Sequence, residues 1–292
     1  VIDYIKVTDL SQAGPLVESQ VDGSMVPINK ASMRQLWFDS IVGTNLALGK
    51  KCNLYPEPTY KLTRSESDPW DLTDGKLACE KRRDDRIWFD PLAVGWRESP
   101  FVYISIDLEE EKSIGKVVLR TLGGREQRIL PFPKRIQILL SEDGINYYNV
   151  AEWQKMVVES DDSAFIFLPE NGQHYVYPLT INCDNRKARY VVIKAEPESF
   201  LFFDEIAVME GQYPPLPVND SVERVPFQLD SPMLWSEVNA LWVCNNMPIF
   251  DRIIFSDLRT KPSKATLVLE LPDGVELDKA YRGENQISSI YN

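Results

Sequence analysis

The sequence of 292 residues contains one histidine, His174, and this scarcity excludes several kinds of site. Catalysis by a Ser-His-Asp or Cys-His group would have to use His174, and a metal site built from several histidines is excluded. His174 lies in the segment QHYVYPLTI, whose composition is typical of a strand. We therefore interpret His174 as an ordinary strand residue rather than as a catalytic base.

Cysteine is also scarce, and no two cysteines form a C-x-x-C pair. Four residues in a chain of this length are too few for a scaffold of disulfides. We expect mostly free, buried thiols, with one disulfide as the alternative. The cysteines are Cys52, Cys79, Cys183 and Cys244.

Long apolar runs and positive charge are lacking as well. No stretch of 18 apolar residues occurs, so the sequence predicts no insertion into a membrane. The 32 Lys and Arg residues against 44 Asp and Glu residues give a formal net charge of −12. Nucleic-acid backbones and anionic membranes select basic surfaces, so we expect neither as the main partner. Because the sequence begins with Val1, we expect a processed or trimmed N-terminus, with any signal peptide outside it.

Apolar and aromatic residues are plentiful, at 43% and 11% of the chain, and they predict one large or two ordinary domains with packed cores. Residues 1–44 predict a leader segment with a strand over residues 1–10 and a short helix that Ser32 caps and Gly43 ends. This leader is too short to be a domain, so we expect it to pack on another part of the chain. One face of the helix carries Met33, Leu36, Trp37, Ser40 and Ile41.

Residues 45–211 predict an all-β domain. Short segments of alternating polarity recur at spacings that suit a β-sandwich or jelly roll, and no βαβ alternation indicates a Rossmann-type sheet. Asp143-Gly144 predicts a tight turn, since glycine supplies the positive φ that such a turn needs. The predicted strands are residues 101–108, 114–121, 135–140, 147–150, 164–168, 175–181, 188–195 and 205–209.

Residues 212–220 contain three prolines and predict a stiff linker. The segment after it, residues 221–292, predicts a second, smaller β-sandwich module, either truncated or completed by the strand at residues 1–10. Its candidate strands are residues 225–229, 240–244, 252–255 and 265–271.

Several motifs in residues 45–211 together resemble one family, the coagulation factor V/VIII type C (discoidin) domain, and in particular the bacterial carbohydrate-binding modules of family 32. Each motif is short, and the resemblance depends on their occurring in order over a little more than half of the chain. It implies a discoidin-like, galactose-binding-type jelly roll that is not catalytic. The motifs are NLALGK (45–50), LTDG (72–75), ISIDL (104–108), IGKV (114–117), IQILLSEDG (136–144), RYVV (189–192) and FDEIAV (203–208).

The resemblance implies a structural calcium ion, because Asp74 and Glu205 match the two carboxylate positions of the family, and the carbonyl of Lys76 is a third candidate ligand. The alternative is that Asp74 forms a local turn and Glu205 pairs with a lysine or arginine. Residues 76–86 depart from the family pattern, which leaves some of the ligands unassigned. With or without calcium, Glu205 is expected to tie the last strand to the Asp74 loop.

The resemblance also implies a glycan or oligosaccharide ligand, bound by aromatic rings and by side chains that form paired hydrogen bonds with hydroxyl groups. Three loops supply the candidates: Trp70 in the early loop, Arg125 and Arg128 in the middle loop, and Glu198 and Phe200 in the last loop. The remaining aromatic residues of these segments, Phe202, Phe203, Trp88 and Trp96, are expected in the core.

These observations predict a non-catalytic carbohydrate-binding module of a bacterial protein of glycan use that is secreted, periplasmic or at the cell surface. The alternative is a structural or adhesive module that supports a covalently linked glycoside hydrolase domain. Glycoside hydrolysis needs two carboxyl groups across a cleft. The pairs Asp161-Asp162 and Asp204-Glu205 are sequence neighbours, which face opposite ways on a strand and do not meet this need.

Overall fold

The structure, a computed structural model, describes residues 16–82, 85–124, 130–154 and 174–219, together with residue 222 and five short strands beyond it. The chain divides into two compact units, Val1–Lys261 and Pro262–Asn292. In the described part of the first unit, strands dominate, and helices are confined to short segments. The elements of this unit are β1 (Leu16–Glu18), β2 (Met25–Pro27), α1 (Lys30–Ser40), β3 (Cys52–Tyr55), α2 (Asp68–Asp71), a 3₁₀ turn (Ile87–Phe89), β4 (Val94–Arg97), β5 (Val102–Gly123), β6 (Arg135–Ser141), β7 (Tyr147–Gln154), β8 (Tyr175–Glu196), β9 (Phe200–Glu210), β10 (Arg224–Val225), β11 (Met233–Ser236) and β12 (Ile253–Ser256).

One curled antiparallel sheet forms the body of this unit, with the strand order β10-β7-β6-β8-β5-β9-β4 and with β3 paired to β5. The strands β5 and β8 are each 22 residues long and pair along most of their length. The first part of β5 also pairs with β3, and its second part pairs with β9. Both parts contribute side chains such as Ile104, Ile106, Val117 and Leu119 to one core. The sheet therefore closes on itself as a sandwich, which confirms the prediction of an all-β jelly roll.

The long strands differ from the prediction, in which each of them was two separate strands. Residues 109–112, Glu-Glu-Glu-Lys, interrupt the alternation of β5 and favour a turn by composition. The strand instead passes through an irregular bulge, in which Glu109 has a positive φ of 71° and the register with β8 shifts between Asp107 and Lys112. The register shifts again between Ile114 and Lys116. The short strands β3 and β4 were not predicted, and the predicted strand at residues 164–168 lies outside the described residues.

The jelly roll has two ends, called the loop end and the chain end. At the loop end, β4 and β9 begin their pairing at Arg97 and Phe200, and residues 197–199 connect β8 to β9. At the chain end, Ile114 pairs with Glu210, and the backbone N–H of Glu210 donates to the carbonyl of Thr44 at 2.9 Å. The chain thus enters and leaves the jelly roll at the same end.

Helix α1 of the predicted leader packs against the sheet, where Met33 and Leu36 join the main core and Trp37 packs with Val118 and Ala207 in a separate cluster. Its buried residues are Met33, Leu36, Trp37 and Ser40, in agreement with the predicted face. The prediction that Ser32 caps this helix is wrong. The N-cap is Asn29, whose side-chain oxygen accepts the backbone N–H of Ser32 at 3.0 Å, a hydrogen bond that satisfies one of the free donors of the first turn. The predicted strand at residues 1–10 lies outside the described residues.

The proline-rich segment after β9 lies along the jelly roll. Leu216 forms a bridge with Arg186, accepts the backbone N–H of Lys187 at 2.8 Å and donates its own to the carbonyl of Asn185 at 2.9 Å. Beyond it, β10 pairs with the edge strand β7 through Arg224 and Tyr148. The predicted linker is therefore fastened to the sheet along part of its length.

The rest of the predicted second module is described only in short pieces. Strands β11 and β12 form an antiparallel pair. In the second unit, β13 (Tyr281–Arg282) pairs with β14 (Asn285–Gln286). The predicted strands at residues 240–244 and 265–271 lie outside the described residues, and the module at 221–292 stays a prediction.

The predicted core residues Trp96, Phe202 and Phe203 are all buried. Three of the cysteines, Cys52, Cys79 and Cys183, are buried and free, and Cys244 lies outside the described residues. Among the helices that the structure describes, none has the length and apolar character needed to cross a membrane.

Candidate functional site

Three aromatic rings, those of Tyr60, Phe200 and Phe202, form a cluster at the loop end. The ring of Tyr60 meets that of Phe202 edge-on at 4.8 Å between centroids and that of Phe200 edge-on at 5.7 Å. The rings of Phe200 and Phe202 are nearly parallel, because residues two apart on β9 point to the same face. Phe202 is buried, whereas Tyr60 and Phe200 are half-buried and form the outer part of the group.

Arg97 lies beside this aromatic group. Its guanidinium carbon is 5.7 Å from the centroid of the Phe200 ring, within the range of a cation–π contact. The guanidinium also pairs with the carboxylate of Glu98 at 2.7 Å, and both side chains are mostly exposed. A half-exposed aromatic face next to exposed donors and acceptors can hold an apolar C–H surface while it forms hydrogen bonds with hydroxyl groups.

The backbone fixes the position of Arg97. Its N–H donates to the hydroxyl oxygen of Thr59 at 2.7 Å, and the N–H of Tyr60 donates to the carbonyl of Gly95 at 3.0 Å. The N–H of Glu98 donates to the carbonyl of Ser199 at 3.2 Å, which joins the end of β4 to the loop before Phe200. The group is therefore held by three chain segments.

Trp88, which packs against the same buried cluster as Tyr60 and Phe200, forms a second aromatic group with Phe89 and His174. The ring of Trp88 lies edge-on to that of His174 at 4.8 Å and 5.8 Å from the ring of Phe89, of which 48% is exposed. Trp88 is half-buried, so the prediction that it belongs wholly to the core is only partly correct. His174 directly precedes β8 and does not lie within it.

The structure places the predicted ligand residues differently. Phe200 begins β9 within the aromatic group, and Glu198 is exposed in the loop that leads to it. Arg125 and Arg128 lie outside the described residues. Tyr60 and Arg97 were not selected from the sequence. For Arg97 the only available signal was a charged residue at the end of the apolar segment Val94–Arg97, which forms β4.

Trp70 lies away from this group. It is 45% exposed in α2, and the ammonium of Lys51 is 5.0 Å from its ring centroid. Lys51 directly precedes β3, whose first residue, Cys52, pairs with Ile106 of β5. At the loop end, Val102 of β5 pairs with Ala195 of β8. These positions differ by about 13 Å along the strand. The structure therefore does not bring Trp70 and Phe200 into one aromatic platform.

Residues 72–78 are tied to β9 by three hydrogen bonds, a set of contacts called the clasp below. The carbonyl of Leu72 accepts the N–H of Ile206 at 2.6 Å, the N–H of Gly75 donates to Glu205 Oε1 at 3.1 Å, and the N–H of Ala78 donates to Asp204 Oδ2 at 2.9 Å. This agrees with the prediction that Glu205 ties the last strand to the Asp74 loop.

Two of the predicted metal ligands, Glu205 and Asp74, lie at the clasp and differ in burial. Glu205 is 1% exposed, and its Oε2 has no hydrogen-bond partner. Burial, together with the neighbouring charge of Asp204, raises the pKa of Glu205 to about 9. Asp74 is only partly buried, and its Oδ2 pairs with the ammonium of Lys76 at 2.6 Å. Within the described part of the chain, no three or more His, Cys, Asp or Glu side chains cluster as a metal site.

No model of a protein family and no curated protein matches the sequence. Solved structures with a similar fold include a Streptococcus pneumoniae fucose binding module, with 15% identity, a TM-score of 0.37 and coverage of 58% of this chain and 96% of that chain. The lectin domain of lectinolysin complexed with Lewis B antigen has 16% identity and a TM-score of 0.35. The match covers 58% of this chain and 98% of that chain.

A third similar structure, CpGH89CBM32-6 produced by Clostridium perfringens, has 17% identity and a TM-score of 0.33, with coverage of 57% of this chain and 100% of that chain. Its name contains CBM32, which denotes the family of carbohydrate-binding modules that the sequence motifs resemble. At these identities the similarity concerns the fold alone.

Proposed function

We propose that this chain is a non-catalytic carbohydrate-binding module whose glycan ligand lies across Tyr60 and Phe200 at the loop end. The observation that carries the proposal is the half-exposed aromatic pair with the guanidinium of Arg97 at 5.7 Å from the Phe200 ring. Sugar rings offer C–H groups to an aromatic face, and Arg97 and Glu98 supply donors and acceptors for the hydroxyl groups.

A binding role is favoured over catalysis by the surroundings of the carboxylates. Asp204 and Glu205 are both buried in the clasp, where they bind backbone N–H groups and Arg120 rather than face a cleft. Glycoside hydrolysis needs two carboxyl groups that flank the scissile bond. The other acidic pair, Asp161-Asp162, lies outside the described residues.

The wider setting that we propose is a bacterial protein of glycan use that is secreted, periplasmic or at the cell surface. It is supported by the ordered family motifs and by the acidic, aromatic-rich composition. A covalently linked catalytic domain in a longer parent protein belongs to the same proposal.

A structural or adhesive role is the second candidate, and the fastened linker favours it. Leu216 is hydrogen-bonded to both Asn185 and Lys187, and β10 extends the sheet at its edge. A segment held in this way positions the next part of the chain more rigidly than a free linker does. In that case the full chain would bind no glycan and would hold a neighbouring domain or protein in place.

A glycan array followed by calorimetric titration of the best ligand tests the proposed function. We expect Phe200→Ala and Arg97→Met each to weaken binding about tenfold, because each removes one side of the site. The matched controls are Trp70→Ala and Arg64→Met, since Trp70 is a similarly exposed aromatic residue and Arg64 an exposed arginine paired with Glu57. Both controls should bind like the parent chain.

Two results would contradict this proposal. If the folded protein binds nothing on broad glycan panels, the carbohydrate-binding function is wrong and the structural role is favoured. If Trp70→Ala abolishes binding while Phe200→Ala leaves it unchanged, the glycan site is at Trp70 rather than at the loop end.

We also propose a structural calcium ion at the clasp. The residues fit the ion in one respect, since the buried Glu205 Oε2 has no hydrogen-bond partner and a cation would stabilise it as a carboxylate. Asp74 and the carbonyl of Lys76 are the further candidate ligands, and the ammonium of Lys76 would have to leave Asp74 Oδ2. The ion would supply no chemistry beyond holding the loop against β9.

A further inference from the structure

A pocket of about 340 Å³ lies at the chain end, away from the aromatic group. Its volume falls within the range of about 300–1,000 Å³ that is usual for small-molecule sites. The side chains of Lys116, Asn182 and Met209 line it, and these residues are cross-strand partners whose side chains share one face of the sheet.

The end of helix α1 explains why this part of the sheet is open. Trp37 and Ile41 cover the same face further along, where they pack against Val118 and Ala207. The helix stops at Ser40, so Lys116, in the next row of the sheet, is only partly buried, beside the exposed Val42.

The floor of the pocket is rigid because two glycines pack against each other there. A Cβ on Gly211 would lie 2.5 Å from Asn185 Oδ1 and 2.8 Å from the backbone nitrogen of Gly115, and a Cβ on Gly115 would lie 3.0 Å from the Gly211 Cα. No larger residue fits at Gly211 without a shift of the backbone. This close approach of two backbone segments shapes the floor of the pocket.

Three polar side chains of the pocket, those of Lys116, Asn182 and Asn185, offer hydrogen-bond donors. The amide oxygens of Asn182 and Asn185 accept the backbone N–H groups of Asp184 and Gln212 at 3.0 and 2.9 Å. These bonds fix the two side chains and do not use their amide NH₂ groups, which can donate to a ligand. Lys116 adds an ammonium group with up to three donors.

Lys116 has no ion-pair partner among the described carboxylates. Burial lowers its pKa, because the partly buried ammonium loses solvation without gaining a counter-charge. The other charged residue of the lining, Glu210, has its Oε1 at 3.2 Å from the hydroxyl of Tyr213. An anion that reached Lys116 would replace the lost solvation, and Glu210 can accept hydroxyl groups of the same ligand.

We propose that the pocket around Lys116 is a second ligand site, which binds the carboxylate of an acidic monosaccharide of the hexuronic acid type. The carboxylate pairs with Lys116 and accepts the amide NH₂ groups of Asn182 and Asn185, and the ring hydroxyls face Glu210 and Gln212. The site is separate from the loop end and does not depend on the function proposed for it.

A titration of the ¹⁵N-labelled full chain with glucuronate, followed by two-dimensional NMR, tests this site. We expect saturable shifts of the backbone amides of residues 115–116, 182–185 and 211–212. Neutral glucuronamide, which has the same shape, should bind about tenfold more weakly, because it lacks the charge that pairs with Lys116. Galacturonate is the second acidic probe.

Lys116→Met keeps the apolar stem of the side chain and should weaken glucuronate binding about tenfold. The matched control is Lys50→Met, which removes the same charge from a lysine that pairs with Glu109 at 2.6 Å and does not line the pocket. It should change the affinity by less than about twofold, since this pair lies outside the site and exposed pairs contribute little. Phe200→Ala should bind glucuronate like the parent chain, which separates this site from the loop end.

Several results would overturn the proposal. They are the absence of saturable shifts, equal affinity for glucuronate and glucuronamide, and an unchanged affinity in Lys116→Met. An Asn182→Ala variant serves as a second test in case Lys116→Met does not fold, and an unchanged affinity there would also contradict the assignment.

Discussion

The guanidinium of Arg120 and the carboxylate of Asp204 form an ion pair of 2.6 Å in which the two side chains are 5% and 0% exposed. The register of β5 and β9 shifts next to it, between Arg120 and Thr121, so that Asp204 has no cross-strand partner of its own. The same carboxylate oxygen accepts the N–H of Ala78. The pair therefore joins the centre of the sheet to the clasp.

Removal of one partner of this pair should destabilise the protein strongly. We expect Asp204→Ala to lower the free energy of unfolding by about 3–5 kcal/mol, because it leaves the guanidinium of Arg120 buried without a counter-charge. Urea unfolding followed by tryptophan fluorescence measures the difference. The control Glu110→Ala breaks the exposed pair with Lys112 and should cost no more than about 1 kcal/mol. Similar costs for the two variants would contradict the central role given to the pair.

Calcium should stabilise the chain through Glu205. If the ion binds at the clasp, millimolar CaCl₂ should raise the Tm of the parent chain above its value in EDTA, because a ligand that binds only the folded state stabilises it. Glu205→Gln should show no such rise, since an amide is a weaker ligand for this ion than a carboxylate. Glu210→Gln is the control and should respond like the parent chain. Equal Tm values of the parent chain in CaCl₂ and EDTA would show that Glu205 serves the clasp without a metal.

The turn between β6 and β7 depends on Asp143. Its Oδ1 accepts the N–H groups of Ile145 and Asn146, both at 2.8 Å, and its Oδ2 accepts the side-chain amide of Asn146. Asp143→Ala should lower the free energy of unfolding by about 1 kcal/mol. The matched variant Glu142→Ala alters the neighbouring acid, which forms no bond within this turn, and should cost less.

The contribution of Asp143 should also depend on pH. Desolvation acts to raise its pKa, but the hydrogen bonds from Asn146, Ile145 and Ser141 outweigh it and lower the pKa to about 2. Because the pKa of Asp143 is lower in the folded state than in the unfolded state, where it is about 4, the carboxylate stabilises the fold at pH values above about 4. This stabilisation is lost as the pH falls towards about 2. The difference in unfolding free energy between the parent chain and Asp143→Ala should therefore shrink from pH 5 to pH 2. A difference that stays constant would contradict this account.

Gly123 is required for packing rather than for binding an anion. A Cβ at this position would lie 2.4–2.6 Å from three ring carbons of Phe132, which is fully buried. Gly123→Ala should cost about 1–3 kcal/mol by overpacking. Phe132→Leu makes room for the methyl group, so the double variant should cost less than the sum of the single changes. Strict additivity in urea unfolding would show that the two residues do not compete for space.

Much of the sheet was predictable because alternation along a strand reports which face is buried. The face of α1 and the strands β6, β7 and β9 follow from local patterns of this kind. The continuity of β5 was not predictable, since residues 109–112 have a composition that suits a turn. It depends on the pairing with β8 on both sides of this bulge, up to Asp107 and again from Lys112.

The candidate site was predictable only in part. Phe200 and the tie between Glu205 and the Asp74 loop followed from the sequence and the resemblance. The partner of Asp204 did not, because Arg120 is 84 positions away and only the pairing of β5 with β9 brings it near. Trp70 was grouped with Phe200 because the resemblance implies a ligand face built from the early, middle and last loops. Sequence order does not show how close these loops lie in this chain.

The hydrogen bond between Glu210 and Thr44 at the chain end has a consequence for protein engineering. It holds the two connections of the jelly roll next to each other, but a cut at Thr44 would remove Val17, Met33 and Leu36, which lie in the same core as the sheet. A version of the jelly roll grafted onto another protein therefore has to begin before β1, with Tyr60 and Phe200 at the opposite end left free for a ligand.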